Sequence, residues 1–422
     1  MLDGNPVRML AVSFMLPPML YPQAIQIGRL LEGSGVDLVT VSGRFSNVSE
    51  GSNSMGPQVL KNLQHRLEFP HQAPLSGLAH RIAMRVAPFY GRSPDEFVRW
   101  SRHTAIHTCE WLNAQGREID VLATFGEPMS DHLVGLQIKK KFGLPWLAHF
   151  SDPWVDNPFR KFQPLANLCN RKLEAQVIAA ADSLVFTSEE TRQMVMSKYP
   201  EAWKSKALVL PHSFRAGDFA GNQRVSDAGD IVLRYLGNFY GHRTPFPLIS
   251  SLERLAKTYP ELLRGVRVEL VGGLSGWMRW HPAIKRLPPG LLVFRGSVPY
   301  RNSLELMSDA DLLLVIDAPA KTSVFLPSKL VDYVGAARPI LGIVPPGASD
   351  KLIRRLGGLT ADPSSPMDID AALSSSIRNI REMRESNAPW GDAAVRAEFE
   401  IQRVATSFRS MLDTTMQKAR NG

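Results

Sequence analysis

The feature that most constrains the fold is a repeated alternation of short apolar runs with longer stretches of mixed polarity. Such runs are typical of strands buried on both faces, and the intervening stretches are long enough for helices. Strands that alternate with helices favour parallel, doubly wound sheets, so we expect an α/β fold. The predicted strands are residues 8–14, 37–41, 121–124, 146–150, 183–186, 207–210, 231–236, 266–271, 291–294, 312–316 and 340–344.

The length of the chain predicts two domains, because 422 residues exceed what one hydrophobic core usually supports. The predicted boundaries are a first domain at 1–212, a polar linker at 213–230, a second domain at 231–392 and a final helical segment at 393–422. Residues 43–93 are rich in Gly, Ser, Pro and His, so they are expected to form an irregular insertion.

Composition is that of an ordinary globular protein, with 44% hydrophobic and 21% charged residues. No apolar run approaches the length of a membrane span, and the first residues lack a signal-peptide pattern, so a cytoplasmic location is expected. The formal net charge of +9 predicts anionic partners, for which nucleic acid, acidic lipid and sugar nucleotides all qualify.

Part of the basic excess lies between Lys61 and Arg92, where five cations accompany one acid. Arg81 and Arg85 flank a partly apolar helical face, which is typical of a peripheral contact with the anionic inner face of a membrane. A solvated helix with an ordinary core-facing stripe explains the same pattern, and both interpretations remain open.

The segment 325–333 carries the strongest chemical signal and lies between two predicted strands. Pro327 and Ser328 favour a helix start, which puts Lys329 in the first turn, where unpaired N–H groups favour an anion. Asp332 lies on the same face of that helix. An exposed cation and carboxylate side by side suit the phosphates and ribose of a nucleoside diphosphate. An ordinary helix start with an ion pair is equally compatible with the pattern.

Two other residues follow predicted strands, at the edge where ligands bind in such sheets. Arg243 precedes Thr244 and Pro245, which are predicted as the N-cap and first residue of a helix. Its guanidinium can hold a phosphate through two parallel hydrogen bonds. Asp152 follows the strand at 146–150, where a carboxylate can bind sugar hydroxyls or cap its own turn.

These segments resemble motifs of the family 4 glycosyltransferases, which are retaining enzymes of the GT-B fold. Pro-Ser-Lys-Leu-Val-Asp-Tyr at 327–333 is similar to the family's Pro-Ser-Lys-Leu-x-Glu-Tyr signature, and Asp-Pro-Trp at 152–154 resembles its loop of that sequence. Residues 181–188, 235–245 and 295–300 resemble further family segments in the expected order. The resemblance extends over most of the chain and is more specific in the second half.

The chain departs from the family pattern at two positions. Asp332 stands where the family usually has Glu, which shortens the arm of the expected ribose contact. Val324 stands where the first of two spaced glutamates would lie, so a contact with the donor sugar is missing or is made by another residue.

The resemblance implies two Rossmann-like doubly wound domains that face each other across a cleft, with the final helix crossing back to the first domain. It implies a metal-independent hexosyl or related transferase without a cofactor. The donor would be a nucleoside diphosphate sugar held by the second domain. The acceptor would be a glycan or lipid-linked glycan held by the first domain, in polysaccharide biosynthesis for the cell envelope. The implied catalytic residues are Arg243, Lys329 and Asp152, and the implied nucleotide contacts are Gly237, Arg243, Val298, Ser328, Lys329 and Asp332.

Several alternatives remain open at this point. A sugar-nucleotide epimerase or hydrolase fits the same fold, and Val324 favours a non-catalytic sugar-nucleotide binder. A basic nucleic-acid-binding protein fits the charge, but the chain lacks the interleaved aromatic and basic residues of single-strand binders. His103 and His107 have a spacing that can bind zinc, but they lack a firm third ligand, so no metal site is expected.

Overall fold

The computed structural model describes residues 6–19, 21–44, 60–71, 85, 93–115, 118–159, 164–219, 229–386 and 390–421. These residues form two compact units. Unit 1 contains the chain up to His212 together with the stretch from Ile401 onward, and unit 2 contains Ser213–Glu400.

Unit 1 is built on a seven-stranded parallel sheet in the order β3-β2-β1-β4-β5-β6-β7. The strands are β1 (Arg8–Val12), β2 (Asp37–Arg44), β3 (Leu63–Pro70), β4 (Val121–Gly126), β5 (Trp146–Phe150), β6 (Ser183–Phe186) and β7 (Ala207–Val209). The helices are Pro22–Gly33, Val98–Gln115, Ser130–Phe142, Pro164–Ala180, Glu189–Met196, Glu201–Lys204 and Ile401–Asn421.

The central strand β1 shows why the strands are continuously apolar. Leu10 and Val12 enter the core on one face of the sheet, whereas Met9 and Ala11 enter the core on the other. Because helices cover both faces, the four residues after the exposed Arg8 are all buried, and they form one apolar run.

Unit 2 is built on a six-stranded parallel sheet in the order β10-β9-β8-β11-β12-β13. The strands are β8 (Ile231–Leu236), β9 (Val266–Val271), β10 (Leu292–Arg295), β11 (Leu312–Ile316), β12 (Ile340–Ile343) and β13 (Leu359–Ala361). The helices are Phe246–Thr258, Gly276–Arg279, Tyr300–Ser308, Ser328–Ala336, Ala348–Arg355, Pro366–Ser386 and Ala393–Ala397, and the short 3₁₀ helices are Ala216–Phe219, Pro260–Leu263 and Pro282–Arg286.

The order of strands in unit 2 reverses between β8 and β11. The chain moves outward from β8 to β10, returns to β11 and then moves outward in the opposite direction to β13. In open parallel sheets a crevice forms at such a switch point, outside the carboxyl ends of the strands, and ligands bind there. The residues that follow β8 and β11 are therefore the first to consider for a site.

The strands predicted from apolar runs are confirmed, with ends that differ by at most three residues. The prediction of an irregular insertion at 43–93 is wrong for β3, which forms one edge of the unit 1 sheet. Most residues of β3 are half-exposed and of mixed polarity, so the strand lacks the apolar run that identified the others. Arg81 lies outside the described residues, and Arg85 is exposed.

The boundaries between the units differ from the predicted linker. Phe214 is only 1% exposed, and its N–H donates to the carbonyl of Phe399 at 2.9 Å. The stretch 213–219 is therefore part of unit 2, and so is the short helix Ala393–Ala397. The last helix lies in unit 1, where Phe408 packs against Phe125. No described helix combines the length and apolarity needed to cross a bilayer.

Candidate functional site

Arg243 lies in a tight turn that follows β8. Gly241 has φ 58°, and the N–H of Arg243 donates to the carbonyl of Tyr240 at 3.0 Å, which closes the turn. Residues with a side chain rarely adopt this φ, so Gly241 makes the turn possible. The next helix begins at Phe246 with Pro245 at its N-cap, one residue later than predicted.

Asp317 holds the Arg243 guanidinium across the switch point, a role that the sequence analysis missed. It directly follows β11 and is 4% exposed. Its Oδ1 accepts hydrogen bonds from Nη2 and Nε of Arg243 at 2.9 and 3.3 Å and from the N–H of Ala318 at 2.8 Å. Its Oδ2 accepts from the Ser323 hydroxyl at 3.2 Å. An acid directly after a buried strand is the sequence signal that identifies such a residue.

Lys329 lies in the first turn of the helix Ser328–Ala336, here called the signature helix, whose N-cap is Pro327. Its side chain is half-buried, and no hydrogen bond or ion pair of its ammonium occurs within the described part of the chain. Burial lowers the pKa of Lys329, Asp332 raises it and Arg243 lowers it again. The structure thus brings Lys329 close enough to Arg243 for the two cations to repel each other.

Asp332 differs from the exposed acceptor expected from the sequence. It is 3% exposed, and both carboxylate oxygens lie 3.1 Å from the hydroxyl of Tyr300, which donates to them. Tyr300 begins the helix that precedes β11, so only the packing of two helices brings this pair together. Exposure of Asp332 was therefore wrongly predicted, and its contact with ribose stays a prediction.

The signature helix is also tied to the end of β8. The hydroxyl of Tyr333 accepts a hydrogen bond from the N–H of Leu236 at 2.9 Å, and Tyr333 is 2% exposed. This contact explains the tyrosine of the Pro-Ser-Lys-Leu-Val-Asp-Tyr segment in structural terms. It links the helix that carries Lys329 to the strand that leads to Arg243.

The remaining predicted nucleotide contacts line the same edge of the sheet. Gly237 is buried, and a Cβ at this position would lie 2.7 Å from the Tyr235 hydroxyl, so packing inside the protein already requires glycine. Val298 is half-buried in the loop after β10, and Gly296 in that loop has open space on its side-chain face. Ser328 is half-buried at the first position of the signature helix. Their contacts with a nucleotide stay predictions.

Asp152 lies in unit 1, in the loop after β5, whereas Arg243 and Lys329 lie in unit 2. Burial raises the pKa of the Asp152 carboxyl to about 6. The buried Trp154 anchors the loop through a hydrogen bond from its Nε1 to Asn170 at 3.2 Å. The catalytic role of Asp152 stays a prediction.

His103 and His107 are neighbours on one helix face, with ring centroids 4.3 Å apart. The Nδ1 of His107 is hydrogen-bonded to Glu110 at 2.9 Å. Among the described residues no group of three histidine, cysteine or acidic side chains is placed to hold a metal ion.

Comparison with known proteins gives matches in structure only. No protein-family model and no curated protein sequence matches the chain. HepE from Anabaena, solved with UDP and glucose, is 15% identical with a TM-score of 0.63, over 97% of this chain and 100% of HepE. Sucrose-phosphate synthase from Thermosynechococcus elongatus is 13% identical with a TM-score of 0.63, over 97% and 98% of the two chains. The lipopolysaccharide outer core galactosyltransferase WaaB is 11% identical with a TM-score of 0.61, over 97% and 99%.

These similarities extend along both units, so they concern the whole architecture and not one shared domain. Identities this low show the fold and leave the reaction open. This chain has two parallel sheets with helices between the strands, as the fold of these neighbours requires. The fold implied by the sequence resemblance is therefore confirmed: the chain has the two-domain, Rossmann-like GT-B fold.

Proposed function

We propose that this protein is a glycosyltransferase that moves a sugar from a nucleoside diphosphate sugar to an acceptor hydroxyl. The observation that carries the proposal is the half-buried Lys329 ammonium, which forms no hydrogen bond or ion pair among the described residues and lies within electrostatic range of both Arg243 and Asp332. Two cations that sense each other's charge at the switch point of a parallel sheet suit the diphosphate of the donor. The similarity to HepE, which was solved with UDP and glucose, supports this donor class.

The geometry assigns different roles to the two cations. Breaking the bond to the sugar leaves the diphosphate with additional negative charge. Asp317 fixes Arg243 in advance, so its guanidinium can stabilise that charge without reorganising. Lys329 and the unpaired N–H groups of the first turn of the signature helix add a second positive contact. These groups supply the positive charge that a bound metal would otherwise supply, which supports a metal-independent reaction.

The finer features of the proposal come from the sequence resemblance. They are retention at the anomeric carbon, a hexosyl or related donor, and a glycan or lipid-linked acceptor in cell-envelope polysaccharide biosynthesis. Acceptor binding in unit 1 would involve Asp152, whose raised pKa keeps part of the carboxyl protonated near pH 6.

A non-catalytic sugar-nucleotide binder is the second candidate, and one observation favours it. Val324 occupies the position of the first family glutamate and is 6% exposed. The side chain of a buried valine cannot form the hydrogen bond that a glutamate would make to a donor sugar. Turnover of the donor distinguishes the two candidates, because both predict nucleotide binding.

The proposed function is tested by calorimetry with uridine and guanosine diphosphate in the presence of a chelator, followed by transfer assays with the matching sugars. We expect Lys329→Ala to weaken diphosphate binding and to lower turnover on the order of 10²-fold, because it removes a contact that strengthens as the leaving group departs. The matched control is Lys321→Ala, which removes an exposed lysine from the loop before the signature helix.

Unchanged diphosphate affinity in Lys329→Ala would show that the two cations do not form the donor site. Tight binding without transfer or hydrolysis of any donor would favour the non-catalytic candidate. If Lys321→Ala lost as much diphosphate affinity and turnover as Lys329→Ala, the effect would reflect positive charge in general and not a specific site.

A further inference from the structure

A second surface of unit 2 combines exposed tryptophans with a local excess of positive charge. Between Glu269 and Glu305 the chain carries five arginine or lysine residues and no acid. Between β9 and β10 this stretch contains only short helical turns, Gly276–Arg279 and Pro282–Arg286. Acids outside the stretch pair with three of these cations: Arg286 with Glu253, Arg295 with Glu269 and Arg301 with Glu305.

Two tryptophans in this stretch face solvent. Trp277 is 58% exposed and Trp280 is 80% exposed, whereas Met278 between them is fully buried. Positions three apart in a helical turn lie on the same side, so the two indoles form one surface. Met278 anchors the turn, and Trp277 leans on Phe246 with ring centroids 5.5 Å apart. The packing of Met278 and Phe246 therefore keeps the two indoles facing solvent.

The cations beside these indoles are not neutralised equally. Arg286 forms an ion pair with Glu253 at 3.0 Å. Arg279 and Lys285 are exposed, and within the described part of the chain neither side chain has a hydrogen bond or ion pair. Two exposed indoles thus lie in one stretch with two cations that have no partner among the described residues. We call the residues Trp277, Arg279, Trp280 and Lys285 the tryptophan patch.

We propose that the tryptophan patch binds the surface of an anionic lipid bilayer. Indole rings partition to the boundary between headgroups and acyl chains, because one part of the ring is apolar and its N–H is polar. Lysine and arginine beside them are attracted to acidic headgroups. A soluble anionic protein would also cover indoles and cations, since tryptophan and arginine are enriched in protein interfaces, and failure to bind anionic vesicles would point to such a partner.

The position of the patch relates it to the candidate donor site. The Ser275 hydroxyl donates to the carbonyl of Phe239 at 3.2 Å, and Phe239 pairs with Leu274 in an isolated bridge. The patch is therefore attached to the same loop that carries Arg243. Membrane binding at this point would suit a lipid-linked acceptor. The inference itself stands on the patch alone and does not depend on the proposed transfer reaction.

The test is sedimentation of the full chain with vesicles of phosphatidylcholine alone and with vesicles in which part of it is replaced by phosphatidylglycerol. We expect binding only to the anionic vesicles, with release at high salt. Arg279→Gln/Lys285→Gln should weaken binding roughly tenfold or more, because each cation near the surface is worth about fivefold. Trp277→Ala/Trp280→Ala should also weaken binding, and it should abolish any vesicle-induced blue shift of tryptophan fluorescence.

The controls remove the same kinds of group at other exposed positions of unit 2. Tyr259→Ala removes an exposed ring at the opposite end of the helix Phe246–Thr258, and Arg264→Gln removes an exposed cation of the same unit. Both should bind vesicles as the unchanged protein does. Loss of binding in Arg81→Gln/Arg85→Gln, with full binding by both patch variants, would overturn the inference. The inference would also be overturned if soluble glycans covered the two tryptophans while binding to vesicles stayed unchanged.

Discussion

Among single residues, Asp317 defines the site most directly, because it fixes the position of Arg243. It supplies the only carboxylate that the described structure pairs with Arg243, and the Arg243 side chain is 20% exposed. A partly buried arginine that loses its carboxylate is an uncompensated charge, and breaking a buried pair costs about 3 kcal/mol or more. A bound diphosphate would replace part of the missing negative charge.

We therefore predict that Asp317→Asn lowers the melting temperature of the free protein and increases the upward shift caused by uridine or guanosine diphosphate. Thermal denaturation with and without the nucleotide measures both effects. In the double variant Arg243→Ala/Asp317→Asn the additional shift should disappear, because the guanidinium that lost its carboxylate is also removed. An equal or smaller shift in Asp317→Asn would mean that Asp317 has only a structural role.

Asp152 leads to a prediction about pH. An aspartate in the unfolded chain loses its proton at about pH 4, whereas burial raises the pKa of Asp152 in the folded protein to about 6. Between these values the folded state holds a proton that the unfolded state has lost, so this group lowers stability as the pH rises. Asp152→Asn removes the effect.

The melting temperature of Asp152→Asn should therefore exceed that of the unchanged protein at about pH 8, and the difference should vanish at about pH 4. Thermal denaturation across this range provides the measurement. Asp156→Asn, in the same loop, is a contrasting control, because it removes a carboxylate that is ion-paired with Lys198 and should not raise the melting temperature at about pH 8. A difference in melting temperature that stays constant with pH would show that burial does not destabilise the ionised form of Asp152.

At the scale of elements, the contact between the signature helix and β8 positions the helix that bears Lys329 against the strand that leads to Arg243. Tyr333→Phe leaves the buried N–H of Leu236 without its acceptor, and an unsatisfied buried donor costs about 1–3 kcal/mol. We expect the free energy of unfolding of unit 2 to fall by this amount. Nucleotide affinity should also fall, because the end of β8 leads to Arg243.

Chemical denaturation and calorimetry measure the two effects of Tyr333→Phe. The control is Tyr259→Phe, which removes a hydroxyl from a tyrosine that is 55% exposed. Loss of stability with unchanged nucleotide affinity would contradict a link between the helix and the Arg243 turn. In that case the tyrosine would serve the fold alone.

At the scale of the whole molecule, unit 1 is completed by the last segment of the chain. The helix Ile401–Asn421 inserts Val404, Phe408, Leu412 and Met416 into the core that also contains Phe125. Each such side chain contributes about 1.5–3 kcal/mol when buried. Together they match the total stability of an ordinary domain, which is about 5–15 kcal/mol.

A chain that ends at Glu400 should therefore lose the fold of unit 1 while unit 2 remains folded. Hydrogen exchange would show lost protection in β4, β5 and β6 and retained protection in β8, β11 and β12. Diphosphate binding should persist, since Arg243 and Lys329 both lie in unit 2. Retained protection in unit 1 would show that the last helix is dispensable.

The sequence by itself determined the α/β class, the two-unit organisation, the positions of the central strands and the start of the signature helix. These features depend on local patterns, because a strand covered on both faces must be apolar throughout and a helix start needs residues suited to unpaired N–H groups. Pro327, Ser328 and Lys329 lie where that pattern placed them.

Only the tertiary structure decided which polar groups meet. Arg243 and Asp317 are 74 residues apart, and Tyr300 and Asp332 are 32 residues apart. The edge strand β3 and the buried Phe214 also escaped prediction, because partial exposure or a polar neighbourhood hides them in the sequence. Contacts between distant residues depend on how whole strands and helices pack, and no local pattern of residues records that packing.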